Sequence, residues 1–151
     1  MYGGPMKRIL AVGVFDLLHA GHLHYLEQAK SLGDHLTVVV AHDDTVRKRK
    51  HEPVTNQDLR QRMVSGLKPV DAVVVGNPPN VPIIDILPEI QPDVIALGYD
   101  QEHAEDNIRN ALRERGYGGI EVVRVEGLSD DLDGTRKIIA RILERAEKKE
   151  A

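Results

Sequence analysis

The stretch RILAVGVFDLLHAGHLHYLEQAKSLG, residues 8–33, changes its periodicity midway, and that change decides the fold. RILAVGV (8–14) is a continuous apolar run of strand length, as a strand covered on both faces requires. In HLHYLEQAKSLG (22–33), Leu23, Leu26, Ala29 and Leu32 recur at three-residue spacing and Gly33 marks a stop, which reads as a helix. Between the two lie Phe15, Asp16, His19, Gly21 and His22. An apolar strand feeding a helix through a polar turn is the opening of an α/β unit.

The same rhythm continues along the chain. LTVVVA (36–41), DAVVVG (71–76), DVIALG (93–98) and IEVVRV (120–125) read as four further strands. Helices are expected over 56–67 with Asn56 as N-cap, over 81–90 with Pro82 in its first turn, over about 103–115, and over about 134–148. The last of these places Ile138, Ile139, Ile142 and Leu143 on one face. Strands alternating with helices predict a Rossmann-like three-layer α/β sandwich around a five-stranded parallel sheet. One domain over residues 6–148 is expected, with 1–5 as a flexible N-terminal end.

Composition removes several classes of function. The 151 residues carry a formal net charge of −4, which argues against coating nucleic acid or an anionic membrane. With no cysteine, disulfides, zinc–thiolate centres and thiol catalysis are excluded. No apolar run approaches the roughly 20 residues of a membrane span, and MYGGPMKR does not read as a signal peptide, so a cytoplasmic location is expected.

In an open parallel sheet, ligands bind beyond the carboxyl ends of the strands, where the strand order reverses. Four polar clusters fall at such ends: Phe15 to His22, HDDTVRKRK (42–50), GYDQ (98–101) and EGLSDDLDGTRK (126–137). In the first, Gly21 lets a ligand approach the backbone, and a helix N-terminus offers N–H groups and partial positive charge to phosphate. His19 and His22, one helical turn apart, are placed to donate to phosphate oxygens. Two other readings stay open: a turn with a capping histidine and a surface histidine, and a metal site made by His19, His22 and His24.

GVFDLLHAGHLHYLEQAKSLGD (13–34), with RQRM (60–63), LGYDQ (97–101) and RVEGLSDDLDGTRKI (124–138), resembles the HxGH nucleotidyltransferase superfamily in its cytidylyltransferase-like branch. Within that branch the chain most resembles the archaeal FAD synthases, which transfer AMP from ATP to FMN. The resemblance implies that fold, direct in-line attack of an acceptor phosphate on the α-phosphorus, departure of pyrophosphate with a divalent metal (Mg²⁺), and a homodimer. It implies that His19 and His22 contact the triphosphate, that Gly13, Val14 and Phe15 line the nucleotide's path, and that Asp16 lies near the metal or the acceptor. Lys48 or Lys50 would hold a phosphate, Arg60 would grip phosphate oxygens as a fork, and Arg62 would be structural. Gly98, Tyr99 and Asp100 would border the ribose and base. At the last cluster, Thr135 and Arg136 are favoured over Ser129, although relatives often carry several adjacent hydroxyl residues where this chain has Gly134-Thr135. Two alternatives accompany this expectation. One is a glycerol-3-phosphate cytidylyltransferase, whose relatives typically carry GDD at Gly98-Tyr99-Asp100; the scarcity of aromatic residues for a flavin slot favours it mildly. The other is a nucleotide-binding regulatory module without catalysis.

Overall fold

The computed structural model describes residues 5–129, 132 and 134–150; the expected loose end lies outside these residues except for Pro5. Strand β1 (Arg8–Gly13) leads to α1 (Ala20–Lys30), β2 (His35–Val40), α2 (Asp43–Arg49), α3 (Gln57–Ser65) and β3 (Ala72–Val75). A 3₁₀ turn (Ile83–Ile86) then runs into α4 (Leu87–Ile90), followed by β4 (Val94–Leu97), α5 (Glu102–Glu114), β5 (Glu121–Arg124) and α6 (Thr135–Glu150). The five strands are all parallel, in the order β3-β2-β1-β4-β5. The chain begins at the centre, winds outward to β3 and returns to β4, so the order reverses between β1 and β4.

Alternation along the strands builds two apolar layers. Ile9, Ala11, Val38 and Val40 face one side with Leu26 and Ala29 of α1 and Val64 of α3. Leu10, Val39, Ile95, Leu97 and Val122 face the other, against Leu87 and Ile90 of α4 and Leu112 of α5. The three-layer sandwich read from the periodicity is the observed one.

Three elements differ from expectation; one is the helix expected over 81–90, which is split into the 3₁₀ turn, preceded by Pro82, and the four residues of α4. HDDTVRKRK, for which no helix is expected, forms one over Asp43–Arg49. His42 caps it by accepting the Asp44 N–H on Nδ1, Asp43 and Asp44 occupy its first turn, and Arg47, Lys48 and Arg49 its last. Charges placed this way complement the helix dipole, so a segment with almost no apolar periodicity still folds. In α6 the expected stripe exists but is not covered: Ile139, Ile142 and Leu143 are 40%, 60% and 58% exposed.

Candidate active site

The turn after β1 is built by backbone geometry that side chains rarely tolerate. Phe15 and Leu17 both adopt left-handed conformations, at φ 57° and 53°. The Phe15 ring folds back over Gly13, where any Cβ would meet it at 2.8 Å, so only glycine fits. Phe15 then lies against His22, with ring centroids 5.4 Å apart, and nearly parallel to Tyr25 at 6.3 Å.

His19 and His22 cap α1 reciprocally. The His19 Nδ1 accepts the Gly21 N–H at 3.0 Å, and the His22 Nδ1 accepts the His19 N–H at 3.2 Å. This is a capping box in which histidine fills both roles. Each Nδ1 is therefore an acceptor, which places the neutral ring's proton on Nε2. The rings stack at 3.7 Å. Burial, aided by the neighbouring His19 and Lys50 and opposed by Asp16, pushes the His22 pKa down to about 4. At neutral pH His22 is thus an uncharged imidazole whose Nε2–H donates. The capping reading and the ligand-contacting reading are compatible, because capping engages only the Nδ1 of each ring. The three-histidine metal site is not formed: among the described residues no group of three His, Cys, Asp or Glu is arranged to hold a metal ion.

Two residues expected to touch ligand are instead internal ties. Asp16 is 7% exposed, and its Oδ2 accepts the Val54 N–H at 2.7 Å while its Oδ1 accepts the Thr55 N–H and hydroxyl at 3.0 and 2.6 Å. Burial raises its pKa, but the Thr55 hydroxyl, the two amides and Arg60 outweigh it and hold the carboxyl below its ordinary value. With three acceptor positions committed to residues 54 and 55, the carboxylate serves here as an internal tie. Arg60 is 1% exposed. Its Nε donates to Thr55 O, its Nη1 to Val14 O and Ala41 O, and its Nη2 to Asp43 Oδ1. The guanidinium joins the ends of β1 and β2 to the start of α3 and is not a phosphate fork; Arg62, expected to be structural, is exposed.

The remaining candidates divide between two walls. Lys48 and Lys50 are both exposed at the end of α2, but only the Lys50 charge is felt by His22. Thr135, at the start of α6, brings its hydroxyl to 3.5 Å from the Asp16 carbonyl, which sets the α6 N-terminus beside the histidine turn. Arg136 and Ser129 are exposed. Across the crevice, the Gly98 N–H donates to Gln101 Oε1 at 2.7 Å. Tyr99 is 55% exposed, its ring laid on Gly127 so closely that a Cβ there would be 2.6 Å away. Asp100 lies near enough to act electrostatically on Tyr25. Sequence reasoning missed Asp43, Thr55 and Tyr25. The visible signals were an Asp pair directly after β2 and a tyrosine among the leucines of an apolar helix face.

Residues 10–141 match the cytidylyltransferase-like family. The chain is 46% identical to the FAD synthase of Aciduliprofundum boonei over 143 residues, 94% of each chain. It is 43% identical to the FAD synthase of Pyrococcus horikoshii over 139 residues, 91% of this chain and 93% of that one. Among solved structures, the lipopolysaccharide core biosynthesis protein of Thermoplasma volcanium superposes with a TM-score of 0.77 at 38% identity, covering 83% of this chain and all of that one. The pantothenate synthetase of Thermus thermophilus, at 16% identity and a TM-score of 0.60, over 94% of this chain and 67% of that one, shares the fold alone. By its sequence over nearly its whole length, this chain belongs to the cytidylyltransferase-like family.

Proposed function

We propose that this protein is an FAD synthase, a nucleotidyltransferase that moves AMP from ATP to FMN. The observation that carries this reading is the near full-length identity to archaeal proteins of that name. The geometry supplies a chemistry to match. A phosphate oxygen of FMN forms a bond to the α-phosphorus of ATP as the bond to the bridging oxygen breaks, and that oxygen leaves with pyrophosphate. No covalent intermediate on the protein is needed, so catalysis is positioning and charge stabilisation. In this reading the Nε2–H groups of His19 and His22 donate to the triphosphate, and Gly21 gives it room. Lys50, rather than Lys48, adds positive charge, because its field reaches His22. Thr135 and the start of α6, beside the histidine turn, meet the phosphates on the same wall. Gly98, Tyr99 and Asp100 border the nucleoside, while Gly13, Val14 and Phe15 form the floor of the crevice. Asp16 and Arg60 act by holding that floor. A divalent cation belongs, in this reading, to the triphosphate as a substrate component.

We also infer a homodimer of single-domain subunits, working in the cytoplasm. The uncovered α6 stripe supports a second copy, and sedimentation over a range of concentrations tests it. For the activity, purified protein is given Mg²⁺ with ATP or CTP, each paired with FMN or glycerol 3-phosphate, and products are identified by mass. FAD from ATP and FMN is the expected product; CDP-glycerol would overturn the substrate assignment.

A further inference from the structure

Tyr25 sits where the sheet opens. β1 pairs with β2 up to Gly13 opposite Val40, but with β4 only up to Ala11 opposite Ala96. Beyond that point the two central strands part, and the Gly98 N–H turns to Gln101. The Tyr25 hydroxyl occupies the parting. It donates to Ala96 O at 2.6 Å and accepts the Val12 N–H at 3.3 Å; Val12 O, at 3.4 Å, is the poorer acceptor. Its ring, partly buried against the core, stacks under Phe15, one of the two left-handed residues of the turn. One side chain of α1 therefore touches β1, β4 and the loop that leads to the histidines. Burial holds the phenol above its ordinary pKa despite the Val12 bond, and Asp100 acts in the same direction, so the hydroxyl keeps the proton it donates.

We propose that Tyr25 is a positioning residue: its hydroxyl ties the two walls of the crevice together at the point where the strands separate and fixes the spacing between His19/His22 and Gly98–Asp100. This rests on the crevice being a nucleoside triphosphate site, as proposed above. A triphosphate chain alone needs one wall, whereas a whole nucleotide must meet both at once. Loosening the tie then penalises only the ligand that spans the gap.

Tyr25→Phe keeps the ring and its stacking and removes the tie. Calorimetry compares ATP with inorganic tripolyphosphate on wild type and variant, with CTP in place of ATP should wild type prefer it. The expected result is an affinity loss of about tenfold for the nucleotide and less than about twofold for tripolyphosphate. Unchanged nucleotide affinity, or a parallel loss for both ligands, would overturn the proposal, since a tyrosine that merely supports the fold gives one or the other. Wild type that binds neither nucleotide sinks the site reading itself and the inference with it; wild-type binding that the variant retains sinks the inference alone. Should Y25F fail to fold, wild type labelled with 3-fluorotyrosine carries the test. The Tyr25 fluorine resonance must move when the nucleotide binds and stay in place with tripolyphosphate, and a resonance indifferent to the nucleotide refutes the tie.

Discussion

The two walls of the crevice are built in opposite ways. On the β1–β2 side, Asp16 and Arg60 are buried and interlocked, together making seven hydrogen bonds to Val54, Thr55, Val14, Ala41 and Asp43. On the β4–β5 side, bonding is local: Gly98 closes on Gln101 three residues away, and Tyr99 rests on Gly127 with half its surface in solvent. One wall is a frame that cannot shift without breaking charged bonds, and the other is a surface that can be altered one side chain at a time. In the function proposed above, such a division separates the groups that steady the reaction from those that tell one substrate from another.

The sharpest way to break this contrast is Arg60→Met. It leaves the Asp43 carboxylate and three carbonyls without their donor, a loss of about 3–5 kcal/mol by analogy with other broken buried pairs. Urea titration should show that loss, while Arg62→Ala, on the exposed side of α3, shifts stability by no more than about 0.5 kcal/mol. Equal effects at the two arginines would dissolve the frame.

The next test uses pH. An ordinary histidine titrates near 6.5 and folded His22 near 4, so between those values the unfolded chain binds the extra proton. This contribution to stability is complete above about pH 6.5 and is lost as pH falls towards about 4, amounting to about 3 kcal/mol. Gln at position 22 preserves a capping box, so His22→Gln should flatten the stability profile in that window by this amount without losing the cap. An unchanged slope would mean that His22 is not held neutral.

Lysine substitutions sharpen the chemistry on the same wall. Lys50→Ala is expected to lower kcat/KM about 30-fold and Lys48→Ala less than about threefold, because one of the two charges reaches His22. Steady-state rates of FAD formation decide it; the reverse order would move the functional lysine.

The smallest effect belongs to the open wall. Gly127→Ala drives a methyl to within 2.6 Å of the Tyr99 ring and displaces it, with an expected change in KM of about fivefold for one substrate. Its Tm should stay close to wild type, because Gly127 and Tyr99 are both exposed.

The largest of these effects falls where the sequence was least legible. All five strands and the HxGH turn announce themselves, since a buried strand is a run of apolar residues and the turn is a contiguous pattern. Arg60 does not. In α3 the periodic apolar pair is Leu59 and Met63, yet these are 49% and 60% exposed, while Arg60 and Val64 form the buried face. A charged residue faces inward only because four acceptors from distant segments converge on it, and no local pattern records that convergence. Asp16 is hidden for the same reason: an acidic residue just past a strand end reads as a ligand-facing group until its three donors from residues 54 and 55 are seen.

The left-handed Phe15 and Leu17 have a consequence for how the site meets its ligand. Each such conformation costs of order 1–2 kcal/mol for a residue with a side chain, and Phe15 is held in it by packing. A flexible turn would have to surrender its conformational freedom when the nucleotide arrives. Here that freedom has already been given up during folding, so under the proposed function the turn would meet an incoming phosphate with little entropy left to lose.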